Sequence, residues 1–170
     1  MIATVETSES FTRFRSERPA KRKILLVDND PAMRLVLSRL LAGESFLVLT
    51  AATSVEALEL VKLTRFDLVL LDLKTPTERD WETFARLSEQ NPLLPVIVIT
   101  DRQDQLFHAL ATGVGALLEK PLNFTKLFHT INYLLEEPTE ARLARFAGQP
   151  VTFHHIQPIK GGLQKVSRAN

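Results

Sequence analysis

Phe66-Asp67-Leu68-Val69-Leu70-Leu71-Asp72-Leu73-Lys74-Thr75-Pro76 is the stretch that decides how this chain folds. Asp67 to Leu71 is almost continuously apolar, as a strand covered on both faces requires, and the run stops at a carboxylate, Asp72. Upstream, Ile24 to Val27 has the same character and ends at Asp28. Between them, Met33, Val36, Leu37, Leu40 and Leu41 recur at helical spacing, with Pro31 in a first turn and Gly43 as a stop. Phe46 to Thr50 predicts a second strand, and Thr53-Ser54-Val55-Glu56 has the form of a capping box before a helix that places Leu58 and Val61 inside.

Downstream the alternation continues. Trp81, Phe84, Ala85 and Ser88 predict a third helix, Val96 to Ile99 a strand ending at Thr100, and Leu106, Phe107 and Leu110 a fourth helix. Ala116 to Leu118 is a short strand just before Lys120. A last helix starts near Asn123, buries Phe124, Leu127, Phe128, Ile131, Leu134 and Leu135, and ends at Pro138. Five strands alternating with five helices imply an α/β, flavodoxin-like, doubly wound parallel sheet of strand order 2-1-3-4-5. In such sheets ligands bind outside the carboxyl ends of the strands.

Residues 23–137 thus form the expected domain, with a basic arm over 1–22 and a basic tail over 138–170. The tail contains three Pro and the pair Gly161-Gly162, and both ends predict mostly unordered chain. A short helix near Thr139 to Ala147 would pack Ala141, Leu143, Ala144 and Phe146, and a tail of this length predicts no separate output domain. The net charge of +1 hides a split. Segments 1–23 and 138–170 hold eleven basic and four acidic residues against ten and sixteen between them, so basic ends flank an acidic body. Cysteine is absent, which excludes disulfides, thiolate nucleophiles and zinc–thiolate sites and suits a cytoplasmic protein. No apolar run reaches membrane-spanning length.

Asp28, Asp72, Thr100 and Lys120 close adjacent strands, so they are expected to face one crevice. Each alone has an ordinary explanation as a cap, a strand end or a surface pair. Together, two carboxylates, a hydroxyl and an ammonium suit a divalent cation and a phosphoryl group. Mg²⁺ prefers oxygen ligands and completes its shell with water and phosphate oxygens. A carboxylate attacks a phosphoryl group only when the approach of two anions is screened.

Four motifs carry a resemblance to the receiver domain of two-component response regulators over roughly residues 22–137. They are Ile24-Leu-Leu-Val-Asp-Asn-Asp-Pro31, Phe66 to Pro76, Pro95-Val-Ile-Val-Ile-Thr100 and Glu119-Lys-Pro121. The resemblance implies that Asp72 accepts a phosphoryl group from a sensor histidine kinase or phosphotransfer protein. It implies that Thr100 and Lys120 contact that group, and that Asp28, Asn29, Asp72 and the Lys74 carbonyl surround Mg²⁺. It also implies signalling by protein–protein contact, rather than enzymatic turnover, through the fourth and fifth helices and fifth strand, with a downstream protein or a second copy as partner. Asn29 stands where the family has a second acid, Leu117 where it commonly has an aromatic switch residue, and Asp101 where it has a small residue. The loop Pro76-Thr-Glu-Arg-Asp-Trp81 also lacks the usual glycine.

These departures support a second reading, a degenerate receiver that binds its partner without phosphorylation. A third, from the Asp28-Asn29-Asp30 pattern, is a haloacid-dehalogenase-like phosphatase with Asp28 as nucleophile, but it leaves Asp72 idle. His108, His129, His154 and His155 are expected to be solvated or packed rather than metal-bound. The arginines and lysines of the N-terminal arm are the one hint of an anionic partner, nucleic acid or lipid.

Overall fold

The computed structural model describes residues 21–73, 78–149 and 151–158, the side chains of 78–80 apart. Most of the N-terminal arm, the end of the tail and Lys74 therefore lie outside the described residues. Six strands, β1 (Lys23–Val27), β2 (Leu47–Ala51), β3 (Leu68–Leu73), β4 (Val96–Thr100), β5 (Ala116–Glu119) and β6 (His154–Ile156), form one sheet. The order is β2-β1-β3-β4-β5-β6 and every neighbouring pair is parallel.

Alternation along each strand sends side chains to two separate cores. Ile24, Leu26, Leu68, Leu70, Ile97, Ile99, Ala116 and Leu118 pack with Leu37 and Leu41 of α1 (Pro31–Gly43) and with Leu127, Ile131 and Leu134 of α5 (Phe124–Glu136). Leu25, Val27, Val69, Leu71, Val96, Val98 and Leu117 pack on the opposite face. Their partners there come from α2 (Ser54–Leu63), α3 (Glu78–Gln90) and α4 (Leu106–Thr112). Each such side chain contributes about 1.5–3 kcal/mol by leaving water, which is why the central strands are apolar at every position rather than at alternate ones.

Local chemistry sets the helix starts. Asp30 Oδ1 accepts from the amides of Ala32 at 2.9 Å and Met33 at 3.2 Å, with Pro31 in the first helical position. Thr53 Oγ1 accepts from the Glu56 amide at 3.2 Å, while Glu56 Oε2 reaches back to the Ala52 amide at 2.7 Å, one residue beyond the cap itself. Asn123 Oδ1 accepts from the Lys126 amide at 3.0 Å.

Several expectations are corrected. The sheet has six strands rather than five, because part of the tail is built into it. Residues 139–146 form α6 (Thr139–Phe146), and β6 lies beyond β5. The helix does not pack as expected, since Leu143 and Phe146 are exposed and Arg145 is buried. Val36, Leu40, Phe107 and Phe124 are likewise exposed. Gly43 is the last helical residue of α1, and the left-handed residue that follows is Ser45, with φ of 70°.

Candidate functional site

Asp28 directly follows β1, and its amide donates to Ala51 O at 3.1 Å, carrying the pairing with β2 one residue further. Its side chain is buried; Oδ1 accepts from the Asp30 amide at 2.8 Å, and Oδ2 has no hydrogen-bond partner among the described residues. Arg34 on α1 clasps the Asp28 carbonyl oxygen at 2.6 Å and so fixes the turn that aims the carboxylate. Asn29 is exposed beside it.

Asp72 lies within β3, opposite Ile99 of β4, rather than after the strand. Its side chain is only 2% exposed; Oδ2 accepts from Lys120 Nζ at 2.8 Å, and Oδ1 has no hydrogen-bond partner among the described residues. Burial pushes the Asp72 carboxyl up to about 6. Lys120 opposes that rise, and the like charges of Asp28 and Asp101 add to it. Lys120 follows β5, where its amide donates to Thr100 O at 2.9 Å. Asp101 Oδ2 lies 3.9 Å from the same ammonium.

Thr100 closes β4 and is fully buried, but its hydroxyl accepts from the Arg102 amide at 3.1 Å and so serves its own loop. The structure therefore brings Asp28, Asp72 and Lys120 together, with Asn29 at the rim and Thr100 one strand away. A cleft of about 290 Å³ opens beside the two carboxylates, and Thr53, Ser54 and Thr83 contribute to its wall. None of these three hydroxyl residues was read as a site residue in the sequence, where Thr53 and Ser54 figured only in a capping box. Thr53 and Ser54 had a signal, since they follow β2 as Asp28 follows β1, but Thr83 sits within a helix and had none. A wider cavity, of about 1090 Å³, lies at the opposite ends of the strands among Lys62, Arg65 and Asp67.

The donor set fits a hard cation. Asp28 Oδ2 and Asp72 Oδ1 are buried carboxylate oxygens without hydrogen-bond partners among the described residues, and unpaired buried anions are costly unless something compensates them. No group of three or more His, Cys, Asp or Glu side chains suited to a metal occurs among the described residues. Mg²⁺ is compatible with that number, because it commonly takes few ligands from protein. Asp30, the second acid of the phosphatase-like pattern, holds the first amides of α1.

The response regulator receiver domain family matches residues 24–132, and the chain belongs to that family. Transcriptional regulatory protein GlrR of Escherichia coli (strain K12) is 32% identical over 139 residues, which cover 81% of this chain and 31% of that protein. Transcriptional regulatory protein CpxR of Klebsiella pneumoniae is 36% identical over 149 residues, covering 85% and 63%. The chain spans less than two thirds of either relative. Among solved structures, a CheY-like receiver domain protein of Methanospirillum hungatei superposes with a TM-score of 0.65 at 28% identity, covering 71% of this chain and 98% of that one. The response regulator TrrA of Thermotoga maritima, solved in complex with Mg²⁺ and BeF, gives 0.61 at 25% identity, covering 66% and 98%. Receiver domains are signalling modules of two-component systems, and among the described residues no helix is long and apolar enough to cross a membrane.

Proposed function

We propose that this chain is a phosphoacceptor receiver in which Asp72 takes a phosphoryl group from the phosphohistidine of a sensor kinase or phosphotransfer protein. The observation that carries the reading is the pair of buried oxygens without a hydrogen-bond partner among the described residues, Asp28 Oδ2 and Asp72 Oδ1, with the Lys120 ammonium on the second oxygen of Asp72. In the transfer, an Asp72 oxygen bonds to phosphorus, the phosphorus–nitrogen bond to the donor breaks, and the imidazole leaves. Lys120, already 2.8 Å from the nucleophile, supplies a cation to the incoming phosphoryl oxygens. Asp28, Asn29, Asp72 and the Lys74 carbonyl are the residues we assign to Mg²⁺, which when bound screens the approach of the two anions. Thr100 would meet the phosphoryl group by turning its hydroxyl away from the Arg102 amide. Output then passes by contact with a downstream protein, or with a second copy.

Intact mass after incubation with Mg²⁺ and acetyl phosphate tests this. A phosphoryl adduct on the wild type that is lost in Asp72→Ala is the expected result. An adduct that survives Asp72→Ala and disappears in Asp28→Ala overturns the assignment. The phosphorylation-independent reading rests on neutral Asn29 and on Asp101, which competes for Lys120 at 3.9 Å; no adduct under any condition favours it.

A further inference from the structure

Residues 138–149 and 151–158 form a strap whose last strand, β6, covers the outer edge of β5. Arg142 fixes α6 by donating to Leu134 O at 2.8 Å, Leu135 O at 3.3 Å and Leu93 O at 3.2 Å. Arg145 forms a buried ion pair with Glu137. The chain turns at Gly148, whose φ of 69° favours glycine, and then lays His154, His155 and Ile156 opposite Ala116, Leu117 and Leu118. His154 stacks on Tyr133 of α5 with ring centroids 4.2 Å apart, and His155 Nε2 lies 2.6 Å from Glu119 Oε1.

Two features mark this strap as releasable. First, six buried side-chain polar atoms lack a hydrogen-bond partner among the described residues. Two belong to Asp28 and Asp72, and the other four to the strap and its anchor: Glu137 Oε2 and Arg142 Nε, which face each other only as an ion pair at 3.9 Å, and Arg145 Nε and His154 Nε2, which lack a hydrogen-bond partner. A buried polar atom without a hydrogen bond weakens the element that carries it, so the strap is held by less than its contacts suggest. Second, β6 is three residues long, half-buried, and paired on one side only, which places it among the elements that open first.

The strap also shares a strand end with the phosphoryl site. Glu119 holds His155, and the next residue, Lys120, holds Asp72. We propose that α6 and β6 together are an autoinhibitory cover on the β5 edge, released when the bond between Lys120 and Asp72 is exchanged for a bond to a phosphoryl group. This inference rests on the phosphoacceptor reading above. It reaches beyond it in assigning the tail a regulatory role, with β5 as the link.

Amide hydrogen exchange on the full chain, with Mg²⁺ and beryllofluoride and with adduct formation followed separately by fluorine NMR, tests it. When the adduct forms, the amides of 154–156 and of α6 are expected to exchange about tenfold faster while β1 and β3 stay protected. Unchanged exchange across 139–158 in the presence of the adduct overturns the proposal. A second arm needs no adduct: Lys120→Ala, or Lys120→Gln should the first variant lose protection in β1 and β3, is expected to loosen the same amides in the ligand-free chain. If no adduct forms, the phosphoacceptor reading fails and this arm decides alone. Unchanged exchange in a folded Lys120 variant then sinks the coupling between the strap and Asp72.

Discussion

Lys120 Nζ and Asp72 Oδ2 stand 2.8 Å apart across the intervening strand β4, although 48 residues separate them in the chain. Burial, Asp28 and Asp101 push the Asp72 carboxyl up, and Lys120 restrains the rise. Lys120→Met removes the restraint while keeping much of the side-chain volume. A carbon-detected NMR titration of the metal-free variant is expected to show Asp72 ionising about one unit or more above the wild type.

The raised Asp72 carboxyl also ties stability to pH. Its folded value of about 6 exceeds the ordinary 3.8, so the folded protein holds the proton more tightly than the unfolded chain does. The stabilisation is fully present below about pH 3.8 and is lost as pH rises through about 6. Asp72→Asn does not titrate there. Metal-free Asp72→Asn is expected to be more stable than wild type above pH 6, by about 1–2 kcal/mol after solvent screening, with the gap closing below pH 4. Urea denaturation across that range measures it.

Asn29 offers a neutral oxygen at the rim of the cleft, where an acid would add charge. Asn29→Asp is expected to tighten Mg²⁺ binding by about tenfold. Titration calorimetry with MgCl₂ checks this, and unchanged affinity would place Asn29 outside the metal shell.

The Arg145–Glu137 pair is buried on both sides. Arg145→Ala leaves the Glu137 carboxylate without its main partner, and α6 is expected to lose about 3 kcal/mol of local stability. Replacing both residues by methionine should recover most of that loss. Amide exchange in 139–146 reads both outcomes.

Five strands and the convergence of Asp28, Asp72 and Lys120 at their carboxyl ends were legible because their signals are local: apolar runs that each stop at a polar residue. β6 was not, since His154-His155-Ile156 carries no apolar run, and its place depends on Tyr133 and Glu119 far away in sequence. The burial of Arg145 had no local signal, because its partner Glu137 is eight residues away at the C-cap of α5. Phe107 was expected inside from its spacing, yet α4 is only seven residues long and buries Ala109 instead. The turn of the Thr100 hydroxyl toward Arg102 is a matter of one rotamer, which residue order does not encode.

The sixth strand has a consequence for anyone who trims the chain. A fragment ending at Glu136 keeps Asp28, Asp72, Thr100 and Lys120 but strips the outer hydrogen-bonding row of β5. Such a bare, apolar parallel edge is a template for other copies. Self-association of the shortened protein would then reflect the cut and not a dimer of the intact chain.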